Sequence, residues 1–138
     1  MPFTGKVGDI LYISDSGGGH RYVILTETNS NNEVVLVNFT SPRLWKDNSA
    51  VFRGRDDKRL FIVETSVRFS DASLVLVDEL KEKAKTSENK RKYLYCPEGI
   101  VQRIVKGAFQ SDFIPIGIIK ELKAAYPVEY ETYYEENN

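Results

Sequence analysis

Residues 9–39 read DILYISDSGGGHRYVILTETNSNNEVVLVNF. Three short segments within them, Asp9–Ser14, Arg21–Glu27 and Glu33–Phe39, are rich in Ile, Val, Leu and Tyr and are separated by turn-forming residues, which predicts three strands. The first separator, Asp15–His20 (DSGGGH), is expected to be a flexible loop. The second, Thr28–Asn32 (TNSNN), supplies the asparagines that tolerate left-handed backbone angles. Both favour tight antiparallel pairing.

Outward from this core, Thr40–Arg59 contains Pro42, Gly54 and mixed charge, interrupts every periodicity, and is expected to be a long, partly mobile loop. Leu60–Glu64, Val67–Phe69 and Ser73–Val77 supply further strands with no long helix between them, a pattern that suggests a small closed or nearly closed barrel. Beyond Val77 the composition changes. Asp78–Lys85 predicts a short helix, and Thr86–Lys92 a polar, basic connector. Pro97 then opens a segment in which Ile100, Val101, Ile104, Val105 and Ala108 form a helical apolar stripe. Pro115–Leu122 predicts a second short helix, facing inward through Ile116, Ile119 and Leu122. The expected architecture is a β-dominated α+β domain over residues 1–125, a small antiparallel barrel with a C-terminal helix or two. The acidic tail, 126–138, has four glutamates, four tyrosines and no basic residue, and is expected to be loose unless it docks on the barrel or on a partner.

Composition removes several function classes. The chain has 138 residues, room for one domain, and 19 basic against 20 acidic residues give a net charge of −1. Its longest uncharged apolar run, Phe113–Ile119, is far short of the ~20 residues of a membrane span. Met1–Ile10 has no basic stretch leading into an apolar one, so no membrane association and a cytoplasmic location are expected. A single cysteine, Cys96, and a single histidine, His20, make neither an intrachain disulfide nor a zinc site of Cys and His ligands. No clustered carboxylates call for a divalent cation, and the phosphate-loop, dinucleotide, zinc-protease and serine-hydrolase motifs are missing, so no metal or cofactor is expected.

The segment Gly17-Gly18-Gly19-His20-Arg21 is the most informative for chemistry. Glycines such as Gly18 and Gly19 let backbone approach a ligand, and the arginine at the exit presents a fork that matches phosphate oxygens. A glycine-softened hairpin followed by a surface arginine fits the same residues. The end of the next strand adds Thr40 and Ser41, a hydroxyl pair suited to the same phosphate or to a local turn. Between Arg43 and Arg59 there are six basic and three acidic residues; Arg43, Lys46 and the ring of Trp45 fit an RNA-holding loop or a solvated loop with tucked aromatics.

Gly8-Asp9-Ile10, a glycine loop ending in Arg21, the aliphatic strand Tyr22-Val23-Ile24-Leu25, and a strand ending in Thr40-Ser41 together resemble the MazF/PemK/Kid-type toxins of toxin–antitoxin systems. The resemblance runs more weakly through Phe61–Glu64 and Ser73–Asp78 and covers roughly residues 5 to 122. It implies an SH3-like barrel, a homodimer held inactive by a cognate antitoxin, and metal-independent cleavage of single-stranded RNA. It carries the catalytic arginine over to Arg21 and the catalytic hydroxyl to Thr40, with Ser41 as neighbour. The family's arginine is commonly followed by proline, where this chain has Tyr22. His20 is a candidate general base, since an imidazole titrates near neutrality; it shares a site with Arg21 if it belongs to the loop rather than to the strand. The alternative is a barrel of the same kind that binds nucleic acid or a protein without cutting.

Overall fold

In the computed structural model, residues 3–15, 18–41, 47–91 and 94–134 are described. β1 (Asp9–Asp15), β2 (Gly18–Ile24) and β3 (Glu33–Thr40) form an antiparallel meander. The short β4 (Val51–Phe52), β5 (Thr65–Val67), β6 (Ser73–Leu76) and β7 (Leu94–Tyr95) extend it. The order is β4-β5-β3-β2-β1-β7, with β6 also on β3. β3 serves two partners, β6 through Glu33–Leu36 and β5 through Phe39 and Thr40, so the sheet curls where the partner changes.

Among the described residues helix exceeds strand, so the expected β-dominated balance is corrected: the fold is mixed α+β with a curled antiparallel half-barrel. The helices are α1 (Val77–Lys83), α2 (Ser87–Arg91), α3 (Glu98–Gln110) and α4 (Ile116–Ala125). A single turn over Pro127–Glu129 then continues as a π-helical stretch, Tyr130–Tyr134.

Alternation along the central strands feeds two cores. Ile10, Val23, Leu25, Val35, Val37 and Phe39 face α3 and α4, which contribute Ile100, Val101, Ile104, Val105, Ala108 and Phe109, then Ile118 and Leu122. Leu11, Ile24, Val34 and Leu36 face the other way, against Val77 and Leu80 of α1. A sheet buried on both faces explains why the sequence of β3 is almost uninterruptedly apolar. At ~25 cal/mol per Å² of buried apolar surface, these contacts are the main stabilising term.

Local chemistry accounts for the turns. Asn32 takes φ 61°, and Asn29 Oδ1 accepts from the amides of Asn31 and Glu33, which closes the TNSNN turn. Gly8 takes φ 93°, and a side chain there would meet the Cys96 carbonyl. Its neighbour Asp9, buried, accepts four hydrogen bonds on Oδ2, from the Thr4 amide and hydroxyl and from the Gly5 and Lys6 amides. The Gly8-Asp9 pair thus ties the amino-terminal turn to β1.

Several expectations change: the strand expected at Val67–Phe69 keeps only Val67, at the end of β5, and the connector expected at Thr86–Lys92 is helical over Ser87–Arg91. Leu60–Glu64 is a turn rather than a strand: Asp57 Oδ1 accepts from the Arg59 and Leu60 amides and the Asp57 carbonyl from Phe61, which buries Leu60 and Phe61 and leaves Ile62 and Val63 outside. In α4 Leu122 is buried and Ile119 packs partly buried against the core, as expected, but the second fully buried position is Ile118, and Ile116 is exposed. The expected glycine loop is shorter, because β1 runs to Asp15 and β2 starts at Gly18, leaving only residues 16 and 17 between them. The tail docks on the helical side, with the Tyr130 ring edge-on to Phe109 at 5.5 Å and stacked on Tyr134 at 4.8 Å.

Candidate functional site

The first ladder is fully paired from Ile10 with Val23 to Asp15 with Gly18, which sets Tyr12 opposite Arg21 and Ile13 opposite His20. Tyr12, Arg21 and Gly19 therefore share one face, Gly19 lying diagonally from Tyr12. The Tyr12 ring covers Gly19, where a Cβ would collide with the phenol oxygen. Glycine in this strand is thus demanded by an aromatic partner, a device known to offset the weakness of glycine in sheets.

On the other side Tyr22 pairs with Asn38, and continuing that count sets Arg21 beside Phe39 and His20 beside Thr40. The Arg21 guanidinium carbon lies 5.2 Å from the centre of the Phe39 ring, a cation–π contact. Side-chain alternation directs Arg21 and Phe39 to one face and His20 and Thr40 to the other. All four nevertheless meet where the strands end, around an open cavity of about 520 Å³ lined by Tyr12, Gly19, His20, Arg21, Phe39, Thr40, Ser41, Val63 and Thr65. His20 belongs to β2 rather than to the loop, so it reaches the cavity from the opposite face of the strand to Arg21.

Arg21 is half-buried, and among the described residues no hydrogen bond or ion pair engages it. Burial pushes its pKa down, opposed by its interaction with Cys96. Cys96, behind it in the core, has its thiol pushed up to about 12, chiefly by burial; Arg21 acts against that rise and Asp57 adds to it. A neutral thiol supplies no counter-charge at neutral pH. The arginine is therefore a partly desolvated cation that rests on the Phe39 ring and makes no ion pair among the described residues, at the wall of an open cavity. Such a group favours an anion that brings its own oxygen acceptors.

The hydroxyls differ in availability. Thr65 Oγ1 donates to the Val63 carbonyl at 2.9 Å, so its proton is used locally. The Thr40 and Ser41 hydroxyls make no hydrogen bond among the described residues, and Ser41 is exposed.

A second, smaller cavity of about 130 Å³ adjoins the first, with Tyr12 and Arg21 in its wall and Ile10, Leu94, Glu88 and Asn89 completing it. Asn89 holds this corner together. Its Oδ1 accepts from the Tyr12 amide at 2.8 Å, and its Nδ2 donates to the Tyr12 carbonyl at 2.9 Å, so one side chain completes β1 as a strand neighbour would.

Of the candidates drawn from sequence, Gly19, His20, Arg21, Thr40 and Ser41 line the first cavity, and Gly18 pairs with Asp15 at the start of β2. Arg43, Trp45 and Lys46 lie outside the described residues. Tyr12, Glu88 and Asn89 were missed. Tyr12 reads as an ordinary strand aromatic, and Asn89 is 77 residues from the strand it clamps; a diagonal tyrosine–glycine pairing in the hairpin was the one available signal. Among the described residues no group of three or more His, Cys, Asp or Glu side chains is placed to hold a metal ion, and no helix is long and apolar enough to cross a membrane. Compared with protein-family models, with curated proteins and with solved structures, the chain matches none.

Proposed function

We propose that the chain is a metal-independent endoribonuclease that cuts single-stranded RNA, in the manner of the MazF/PemK/Kid-type toxins its sequence resembles. The observation that carries this reading is the half-buried Arg21, without an ion pair among the described residues, on the wall of a cavity that also receives His20, Thr40 and Ser41. On this reading the ribose 2′-hydroxyl attacks the adjacent phosphorus while His20 takes its proton. Negative charge gathers on the phosphorane oxygens, and Arg21 stabilises it because its guanidinium is already positioned and partly desolvated. Thr40 and Ser41 orient the phosphate. The 5′-oxygen leaves with a proton from Arg21 or from water, giving a 2′,3′-cyclic phosphate and a 5′-hydroxyl. Burial lowers the pKa of Arg21, the direction that assists this donation.

The curled sheet then corresponds to the family's SH3-like barrel, the working form is a homodimer in the cytoplasm, and an antitoxin is the controlling partner. Val63 on the cavity wall and the neighbouring Ile62, both exposed, supply an apolar surface beside the site that suits a protein partner. The test is incubation of the full chain with a long unstructured RNA in EDTA, with the new ends identified by mass spectrometry. Cutting to cyclic phosphates, abolished in Arg21→Ala with unchanged circular dichroism, is the expected result. RNA that is bound with a steep salt dependence but stays whole would leave a binding module instead.

A further inference from the structure

We propose that the small cavity between β1, β7 and α2 is a base subsite that selects guanine, read by Glu88; this rests on the nuclease reading of the neighbouring cavity. The two cavities share Tyr12 and Arg21 as a common wall, so a phosphate held at Arg21 places an adjoining nucleotide at the mouth of the smaller one. Its interior suits a base: Ile10 and Leu94 are apolar, and Tyr12 offers an aromatic surface of the kind on which bases stack. Its polar wall is made by two side chains of α2 with different duties. Asn89 is consumed by structure, since its amide bonds the Tyr12 backbone in both directions and also donates to the Lys83 carbonyl and the Thr86 hydroxyl. Glu88 is exposed, and among the described residues no hydrogen bond or ion pair engages its carboxylate.

A carboxylate accepts two parallel hydrogen bonds. Guanine is the RNA base that presents two adjacent donors on its pairing edge, at N1 and at the exocyclic amine. Adenine offers one donor beside an acceptor, as does cytosine, and uracil a single ring N–H between two carbonyls. Recognition of an unpaired base by stacking and by its pairing edge is the ordinary mode for single-stranded RNA.

The experiment measures binding of the full chain to uncleavable 2′-O-methyl trinucleotides UGU, UAU, UCU and UUU by fluorescence anisotropy at fixed salt. UGU is expected to bind about tenfold more tightly than the others, in line with one bidentate base contact. Glu88→Gln should bring UGU to within about twofold of UAU, because the amide presents a donor to one of the two guanine donors. Equal binding of all four trinucleotides by the wild type overturns the proposal. So does a Glu88→Gln variant that binds all four more tightly by the same factor, since Glu88 would then only oppose the phosphate charge. The parallel cutting assay separates the two readings. A guanine preference that depends on Glu88 in a protein that never cuts RNA sinks the nuclease and keeps the subsite. EDTA-resistant cutting with no preference for guanine does the reverse.

Discussion

Gly19 and Tyr12 act as one unit, and their coupling is measurable. A methyl group at Gly19 collides with the tyrosine ring, so Gly19→Ala should cost about 1–3 kcal/mol in urea unfolding, the usual range for overpacking. Adding Tyr12→Leu should recover most of that loss, a non-additivity expected only of residues in contact. Asp9→Ala removes an acceptor that serves four donors, leaves the buried Gly5 amide unpaired, and should cost about 1–3 kcal/mol. Cys96 sets a pH dependence whose sign follows from its thiol being pushed up to about 12 from an ordinary value of 9. The folded chain holds that proton more tightly than the unfolded chain. The stabilisation is therefore fully present below about pH 9 and is lost as pH rises toward 12, at up to about 1.4 kcal/mol per pH unit. Urea titrations of wild type and Cys96→Val across this window should show the wild type losing stability relative to the variant, since the ionisation of tyrosines and lysines is common to both. For the same reason iodoacetamide at pH 8 should label Cys96 only after unfolding. Thr40 and Ser41 stood out as candidates because hydroxyl residues close an otherwise aliphatic strand, and Arg21 because a cation follows directly on the glycine segment. Tyr12 did not, because an aromatic in a strand is indistinguishable by type from a core residue.

Among the elements, α2 shows how a short helix earns its place through one side chain. Asn89→Ala should cost about 1–2 kcal/mol and speed amide exchange at Tyr12, while the ladder between β1 and β2 stays protected. The tail belongs to the same scale. Tyr126 donates its hydroxyl proton to the Leu25 carbonyl at 2.5 Å, and Tyr130 packs on Phe109. Deleting 126–138 should therefore lower the midpoint of thermal unfolding by several degrees. If the tail also covered a phosphate path, the deletion would tighten RNA binding at low salt, which the same truncated protein tests. Strands β1 to β3 could be read from sequence because apolar composition and turn chemistry agree there. Phe61, Ile62 and Val63 look equally strand-like, yet Asp57 captures the following amides and folds the segment into a turn. A local hydrogen-bond acceptor outweighed β propensity.

For the whole molecule, the amphipathic pattern of α3 predicted a helix, and every residue of the expected stripe is buried, together with Gly107 and Phe109, which the stripe did not include. What the pattern could not supply was the count of layers. Whether a strand such as β3 is covered on one face or on both depends on α1 arriving from 40 residues downstream, a contact that no local periodicity encodes. The bond from Tyr126 to Leu25 spans 101 residues and fastens the strand that carries Arg21. During synthesis, then, that strand leaves the ribosome long before its fastener does.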